Sequence, residues 1–82
     1  MESSPVKKTY FLSEVPAGQS VRLVRIAAGH GLTGRLAAMG LVPGETIEVL
    51  RNDFHGQLVV QVKNTKIVFG RGMSEKLEVA PL

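Results

Sequence analysis

The sequence predicts one small, mainly β domain with a single short helix inserted after its first long strand. The chain has 82 residues, which leaves room for one hydrophobic core. Short stretches in which apolar and polar residues alternate recur along it, with turn residues between them. Only one stretch, around Leu36, has apolar residues at helical spacing.

The first part of the chain is predicted to contain a tail and one curved strand. Residues 1–8 are polar and carry a proline, so we expect a flexible N-terminal tail followed by a domain over residues 9–82. Residues 9–13 contain enough apolar surface to dock on the core, with Phe11 inside it. Residues 20–27 are rich in valine, but Arg22 and Arg25 break the alternation, which indicates a bulged strand.

The helix is predicted from Leu32, Leu36 and Met39, which fall at i, i+4 and i+7. Leu36 and Met39 should therefore lie in the core. Gly40 suits the left-handed position after a helix, with Leu41 as its hydrophobic follower, so the helix should end after about two turns.

The rest of the chain reads as strands. Apolar and polar residues alternate over residues 45–52 and 57–63, which predicts two strands. A connection at residues 64–65 leads into a strand over 66–69 that ends on Phe69 in the core. Residues 73–76 suit one helical turn, and residues 77–79 are predicted to form a short closing strand. About five short strands cover their apolar faces best when bent into a barrel, so we predict an SH3-like barrel. Five glycines are assigned to its corners and tight turns, where unusual dihedral angles are needed: Gly29, Gly31, Gly34, Gly56 and Gly70.

Composition excludes several classes of protein. The chain has no cysteine, and we expect a cytoplasmic protein because there is neither a secretory signal nor a stretch of roughly 20 apolar residues. The seven acids are scattered, and no nucleophile, base and orienting group can be assembled, so we predict no catalytic residues and no enzyme. Four of these acids are expected on faces that meet water: Glu45, Glu48, Glu75 and Glu78.

Two short motifs have weak functional readings. Residues 29–34 fit G-x-G-x-x-G, but the helix that follows is too short for the crossover of a dinucleotide-binding unit, so loop and helix-start glycines are the better interpretation. His30 and His55 are the only histidines, and a metal site needs three or four converging ligands. Asp53 and His55 could share a weak surface site, but we predict solvated loop histidines, no metal site and no cofactor.

One block of sequence carries a family resemblance. Residues 32–47, LTGRLAAMGLVPGETI, resemble the "RL..MGL.PG..I" signature of the FeoA family, and the similarity extends over about residues 9–80. The resemblance implies an SH3-like barrel and an accessory role in bacterial ferrous iron uptake, beside FeoB, the membrane iron transporter with a cytosolic GTP-binding domain. Family members are commonly described as transition-metal binding.

The expected function is that of a protein-protein interaction module. The exposed side of the inserted helix, with the loop before it, is the surface least committed to the core. We assign the partner contacts to His30, Leu32, Thr33, Arg35 and Ala38. Two alternatives stay open: weak self-association through a strand edge, and a nucleic-acid-binding barrel whose phosphate contacts would be Arg22, Arg25, Lys63, Lys66 and Arg71.

Overall fold

The structure is a computed structural model that describes residues 8–53 and 56–82. The predicted tail over residues 1–8 therefore lies outside the described residues, except for Lys8, and so does His55. In chain order the elements are β1 (Tyr10–Phe11), a 3-10 turn (Leu12–Glu14), β2 (Ser20–Ile26), α1 (His30–Ala38), β3 (Thr46–Asn52), β4 (Leu58–Val62), β5 (Thr65–Phe69), α2 (Arg71–Ser74) and β6 (Leu77–Pro81).

The strands form one antiparallel sheet in the order β1-β6-β2-β3-β4-β5. The mainly β prediction with one short helix after the first long strand is confirmed. The sixth strand is β1, in which Tyr10 pairs with Val79 and Phe11 with Glu78. Two residues are too short a run to show alternation, so β1 is defined by its partner β6 rather than by its own sequence.

The core is made by the inward positions of the long strands and by the 3-10 turn. Leu12 and Val15 are fully buried there, so the segment before β2 docks on the core as predicted. Phe69 is buried, but the prediction for Phe11 was wrong, since 37% of it is exposed. The chain bends into the 3-10 turn directly after Phe11, and Leu12 takes the inner position.

The bulge predicted in β2 is present between Leu23 and Arg25, where the register against β6 shifts by one residue. A second register shift occurs in β3, between Val49 and Arg51. Bulges increase the local bend and twist of a sheet. They allow so short a chain to curve the sheet around its core.

The hairpin between β4 and β5 turns one residue earlier than predicted. Val62 pairs with Thr65, so the two turn residues are Lys63 and Asn64, and Thr65 already belongs to β5. Lys63 has a φ of 56°, in the left-handed region that non-glycine residues rarely adopt. This lysine makes an ion pair with Glu45, with 3.4 Å between Nζ and Oε2.

Two polar side chains fasten the N-terminal segment to the sheet. The amide nitrogen of Asn52 donates to the carbonyl oxygens of Ser13, at 3.1 Å, and Val15, at 2.7 Å. The Glu78 carboxylate accepts from Thr9 Oγ1 at 2.5 Å and from Arg25 Nε at 2.8 Å. The expectation that Glu78 simply meets water was wrong, because only 22% of its side chain is exposed and both of its oxygens have partners.

Candidate partner-binding site

Helix α1 begins without a side-chain cap and ends on a complete backbone cap. Gly29 is the N-cap residue, and its carbonyl accepts from the amide of Thr33 at 3.1 Å. At the other end Gly40 has a φ of +94°, its amide donates to Ala37 O, and the amide of Leu41 donates to Leu36 O. These two bonds form a Schellman motif, which confirms the predicted helix end.

Two leucines hold α1 on the barrel. Leu36 is buried, and Leu32, four residues earlier, is half-buried and packs against the core. The prediction that Met39 lies in the core was wrong, because 42% of it is exposed. The regular helix ends at Ala38, so helical spacing no longer applies to Met39, and Leu41 fills the core after the Schellman turn.

The five predicted contact residues all lie on α1. His30, Arg35 and Ala38 are exposed, whereas Leu32 and Thr33 are half-buried. Thr33 and Arg35 are two positions apart and so point about 200° apart around the helix axis. The geometry thus brings His30 and Ala38 to the outer face, with Arg35 on one flank and Thr33 on the other, rather than joining all five in one patch.

The glycines of the G-x-G-x-x-G motif are part of the helix and its start, not of a corner. Gly31 and Gly34 lie inside α1, and a Cβ atom built on either would meet no atom within 4 Å. The assignment of five glycines to unusual dihedral angles was wrong: none of Gly29, Gly31, Gly34, Gly56 or Gly70 has a positive φ. Among the described residues the glycines with positive φ are Gly18, Gly40 and Gly44.

The outer face of α1 carries two glycines, Gly31 and Gly34, that packing against the barrel does not explain. Each glycine in a helix interior costs about 1 kcal/mol relative to alanine. Here the space for a methyl group is open at Gly31 and at Gly34, and Ala37 and Ala38 are exposed beside them. A face of this kind allows another backbone to approach closely.

Sequence reasoning missed three exposed apolar side chains, two just after α1 and one on β2. Met39, Val42 and Val24 are each exposed by 37 to 42%. The loop after α1 is bound to β2, because Gly44 donates to Leu23 O and the amide of Leu23 donates to Glu45 O. Val24 follows Leu23 at the bulge, which turns it outward, so no simple alternation could have identified it.

Three of the basic residues named in the nucleic-acid hypothesis have acidic partners. Arg25 pairs with Glu78, Lys63 with Glu45, and Arg71 Nε lies 3.2 Å from Glu75 Oε2. Three of the five phosphate contacts in the nucleic-acid hypothesis are thus engaged within the chain. The Glu45 side chain is only 24% exposed, which corrects the expectation that it meets water freely.

The part of the chain that the structure describes contains neither a metal-ligand cluster nor a membrane-spanning helix. No group of three or more histidine, cysteine, aspartate or glutamate side chains is placed to hold a metal ion among residues 8–53 and 56–82. His55, which was considered with Asp53 as a weak surface site and predicted to be solvated, lies outside these residues. In the same ranges no helix has the length and apolar character required to cross a membrane.

Known proteins resemble this chain over most of its length. A protein of Methanocaldococcus jannaschii with the provisional name Fe(2+) transport protein A is 34% identical over 70 residues, which are 85% of this chain and 84% of the relative. The crystal structure of an iron uptake regulatory protein, FeoA, is 32% identical, covers 92% of this chain with all of its own, and superposes with a TM-score of 0.84.

A more distant structure shares the fold alone. A manganese-dependent transcriptional repressor superposes with a TM-score of 0.82 at 21% identity, and this chain corresponds to 44% of it. The similarity to FeoA structures confirms the predicted SH3-like barrel. The FeoA domain model matches residues 11–81, so the chain belongs to the FeoA domain family.

Proposed function

We propose that this chain is a small cytoplasmic accessory protein of ferrous iron uptake that binds the cytosolic side of the FeoB transporter and modulates it. The family and the Fe(2+) transport relative support the link to iron uptake. FeoB as the partner is what the family resemblance implies. The protein acts by binding and not by catalysis, with residues 9–82 as the binding domain.

The observation that carries the proposal is the flat, exposed outer face of α1. Gly31 and Gly34 stand in open space at a cost to helix stability, and no atom of the described residues lies within 4 Å of a Cβ built on either. A partner backbone packed against this face would explain both glycines. His30 and Ala38 lie on the face, and Arg35 on its flank is exposed, has no ion pair among the described residues and can meet an acidic group of the partner.

The polar groups of the described residues support a binding role. Glu45, Glu75 and Glu78 each pair with a basic side chain that fixes local structure. These three carboxylates therefore have a structural role, and the role that we propose for the chain is binding.

The test is a titration of isotopically labelled protein with the soluble GTP-binding domain of its cognate transporter, with and without nucleotide. Amide shifts should concentrate in residues 30–38. Arg35→Glu should leave the spectrum folded and weaken binding roughly fivefold or more, as expected for an interface residue worth about 1 kcal/mol.

Arg22→Glu is the matched control, because Arg22 is also an exposed arginine and the substitution makes the same charge reversal on β2, away from α1. Equal affinities for the Arg35→Glu variant and the wild type would remove α1 from the proposal. An absence of shifts anywhere would contradict binding to the GTP-binding domain.

The nucleic-acid alternative gains no support from the geometry. Arg25, Lys63 and Arg71 have acidic partners, and in the described residues Arg22 and Lys66 are the members of that set without an ion pair. Binding of duplex DNA or RNA at low salt, weakening steeply as salt rises, would revive it.

A further inference from the structure

Strand β5 is one end of the sheet, and its outer edge has no strand beside it in the described residues. The order β1-β6-β2-β3-β4-β5 leaves β4 as its one neighbour. Within residues 8–53 and 56–82, no backbone hydrogen bond reaches β5 from outside the sheet. Such an edge presents free amide and carbonyl groups to any extended chain.

The register identifies which residues present those groups. The hairpin turn has two residues, so Val62 and Thr65 form a hydrogen-bonded pair, and hydrogen-bonded and non-hydrogen-bonded pairs alternate from there. Lys66 opposite Gln61 and Val68 opposite Val59 are thus non-hydrogen-bonded pairs. The backbone N–H and C=O of Lys66 and Val68 therefore point away from β4, toward the open edge.

The side chains of the same two residues are exposed and share one face. Val68 is 56% exposed, and Lys66 is exposed beside it. Ile67 between them is buried in the core, so the strand is firmly held from its inner side. The edge offers four backbone groups, one apolar side chain and one cation in a fixed arrangement.

The uncompensated charge on this edge is the positive charge of Lys66. There is no acid from Phe54 to Ser74, and the basic residues of that stretch are Lys63, Lys66 and Arg71. Lys63 is paired with Glu45 and Arg71 with Glu75. In the described part of the chain Lys66 has no ion pair or side-chain hydrogen bond, so its charge is available to a ligand.

We propose that the edge of β5 binds an extended acidic peptide segment of a partner protein as an added antiparallel strand. One residue of the segment would exchange two backbone hydrogen bonds with Lys66 and place a carboxylate beside its ammonium group. The residue two positions earlier in the segment would exchange two backbone hydrogen bonds with Val68 and pack an apolar side chain on it. The recognised pattern, from N to C, is apolar, any residue, acidic.

A second copy of this chain fits the same edge less well. Antiparallel pairing of two β5 strands about Lys66 sets two lysines directly opposite each other, which is destabilising. Pairing about Ile67 avoids that contact but still brings two copies of a positively charged edge together. An acidic strand brings a carboxylate to the Lys66 ammonium group instead of a second positive charge. The edge therefore favours an acidic strand over a second copy of the chain.

This surface is separate from the one assigned to FeoB. Helix α1 connects β2 to β3 in the middle of the sheet order, whereas β5 is its last strand. The two proposals can fail separately, because binding at α1 shifts the amide signals of residues 30–38, whereas binding at the edge shifts those of β5.

The test uses the full chain, isotopically labelled, and a synthetic seven-residue peptide, acetylated and amidated, with the sequence Ser-Thr-Val-Thr-Glu-Thr-Ser. Saturable amide shifts are expected in β5 and β4 and not in α1. Replacing the peptide's glutamate by lysine should weaken binding roughly fivefold or more, since an attractive cross-strand pair becomes a repulsive one. N-methylation of that glutamate keeps its charge but removes one backbone donor, and should weaken binding roughly threefold or more.

Two variants of the chain test the same edge. Lys66→Glu should reverse the preference between the glutamate and lysine peptides. Val68→Pro removes an outward amide without removing a bond to β4, and should weaken binding roughly threefold or more, whereas Val68→Thr keeps the amide and should bind the peptide. If the proline variant does not fold, the N-methylated peptide still tests the backbone bonds.

Three results would overturn the proposal. One is equal binding of the glutamate, lysine and N-methylated peptides, and another is the absence of shifts in β5 at millimolar peptide. The third is a concentration-dependent dimer of the chain in sedimentation that Val68→Pro dissociates, because the edge would then belong to a second copy.

Discussion

Every strand from β2 to β6 buries alternate side chains in the core, whereas α1, a nine-residue helix, fully buries only Leu36. The strands are joined by antiparallel pairing, bulges in β2 and β3 bend the sheet, and Asn52 links it to the N-terminal segment. The helix lacks a capping side chain and an acidic residue in its first turn, and it contains two glycines. Stability thus resides in the sheet, and the helix is the element whose sequence is free to serve another purpose.

The largest effect should come from removing the same side chain in each region. Leu23→Ala in β2 should lower the free energy of unfolding by about 3 kcal/mol, because Leu23 is 1% exposed among core residues. Leu36→Ala should cost about 2 kcal/mol, the lower end for buried leucines, because the cavity at the helix can collapse more easily. Urea unfolding measures both. A larger loss for Leu36 than for Leu23 would break the comparison.

Next in size is the end of the helix. Gly40→Ala should destabilise the protein by about 1 to 2 kcal/mol, since alanine is strained at a φ of +94°. Amide exchange should rise first in the last turn of α1. Gly72→Ala is the control, because it has open space and no positive φ and should not destabilise the protein.

A smaller effect of opposite sign should follow from the outer face of α1. Gly31→Ala and Gly34→Ala should each raise the free energy of unfolding by about 0.5 to 1 kcal/mol, because alanine favours the helix and its methyl group meets nothing. Both should weaken binding of the transporter domain, since the methyl groups hold a partner backbone away. Calorimetry of unfolding and of binding separates the two effects, and stabilisation without loss of binding would contradict the use of this face.

The smallest effect concerns the link from Glu78 to the N-terminal segment. The hydrogen bond from Thr9, and then the bond and charge of Arg25, hold the pKa of Glu78 below its ordinary value of 4.5. Its stabilising contribution is therefore complete above pH 4.5 and is lost as pH falls through the lowered pKa. Unfolding curves from pH 7 downward should show a shallower acid loss for Glu78→Gln than for wild type, and parallel curves would contradict this.

The sequence predicted correctly those structural features that are set by residues close together in the chain. Leu32 and Leu36 at helical spacing, followed by Gly40 and Leu41, predicted both the helix and its end. The broken alternation at Arg25 predicted the bulge. In each case the physical cause lies within a few residues of the effect.

Features that depend on distant residues could not be read in this way. Glu78 meets Thr9, 69 positions away, and β1 exists only because β6 lies beside it. The exposure of Phe11 and Met39 follows from where the backbone leaves its regular path. The contact residues on α1 remain a prediction, although helical periodicity already separates Thr33 from Arg35.

The position of β6 between β1 and β2 has a consequence for biosynthesis. Tyr10 and Leu23 both take Val79 as their strand partner. A ribosome must therefore release residues 77–81 before either early strand gains this neighbour, and long-range pairing of this kind is slow to form. We expect nascent chains arrested before Leu77 to remain protease-sensitive, because the barrel is incomplete until β6 pairs with β1 and β2.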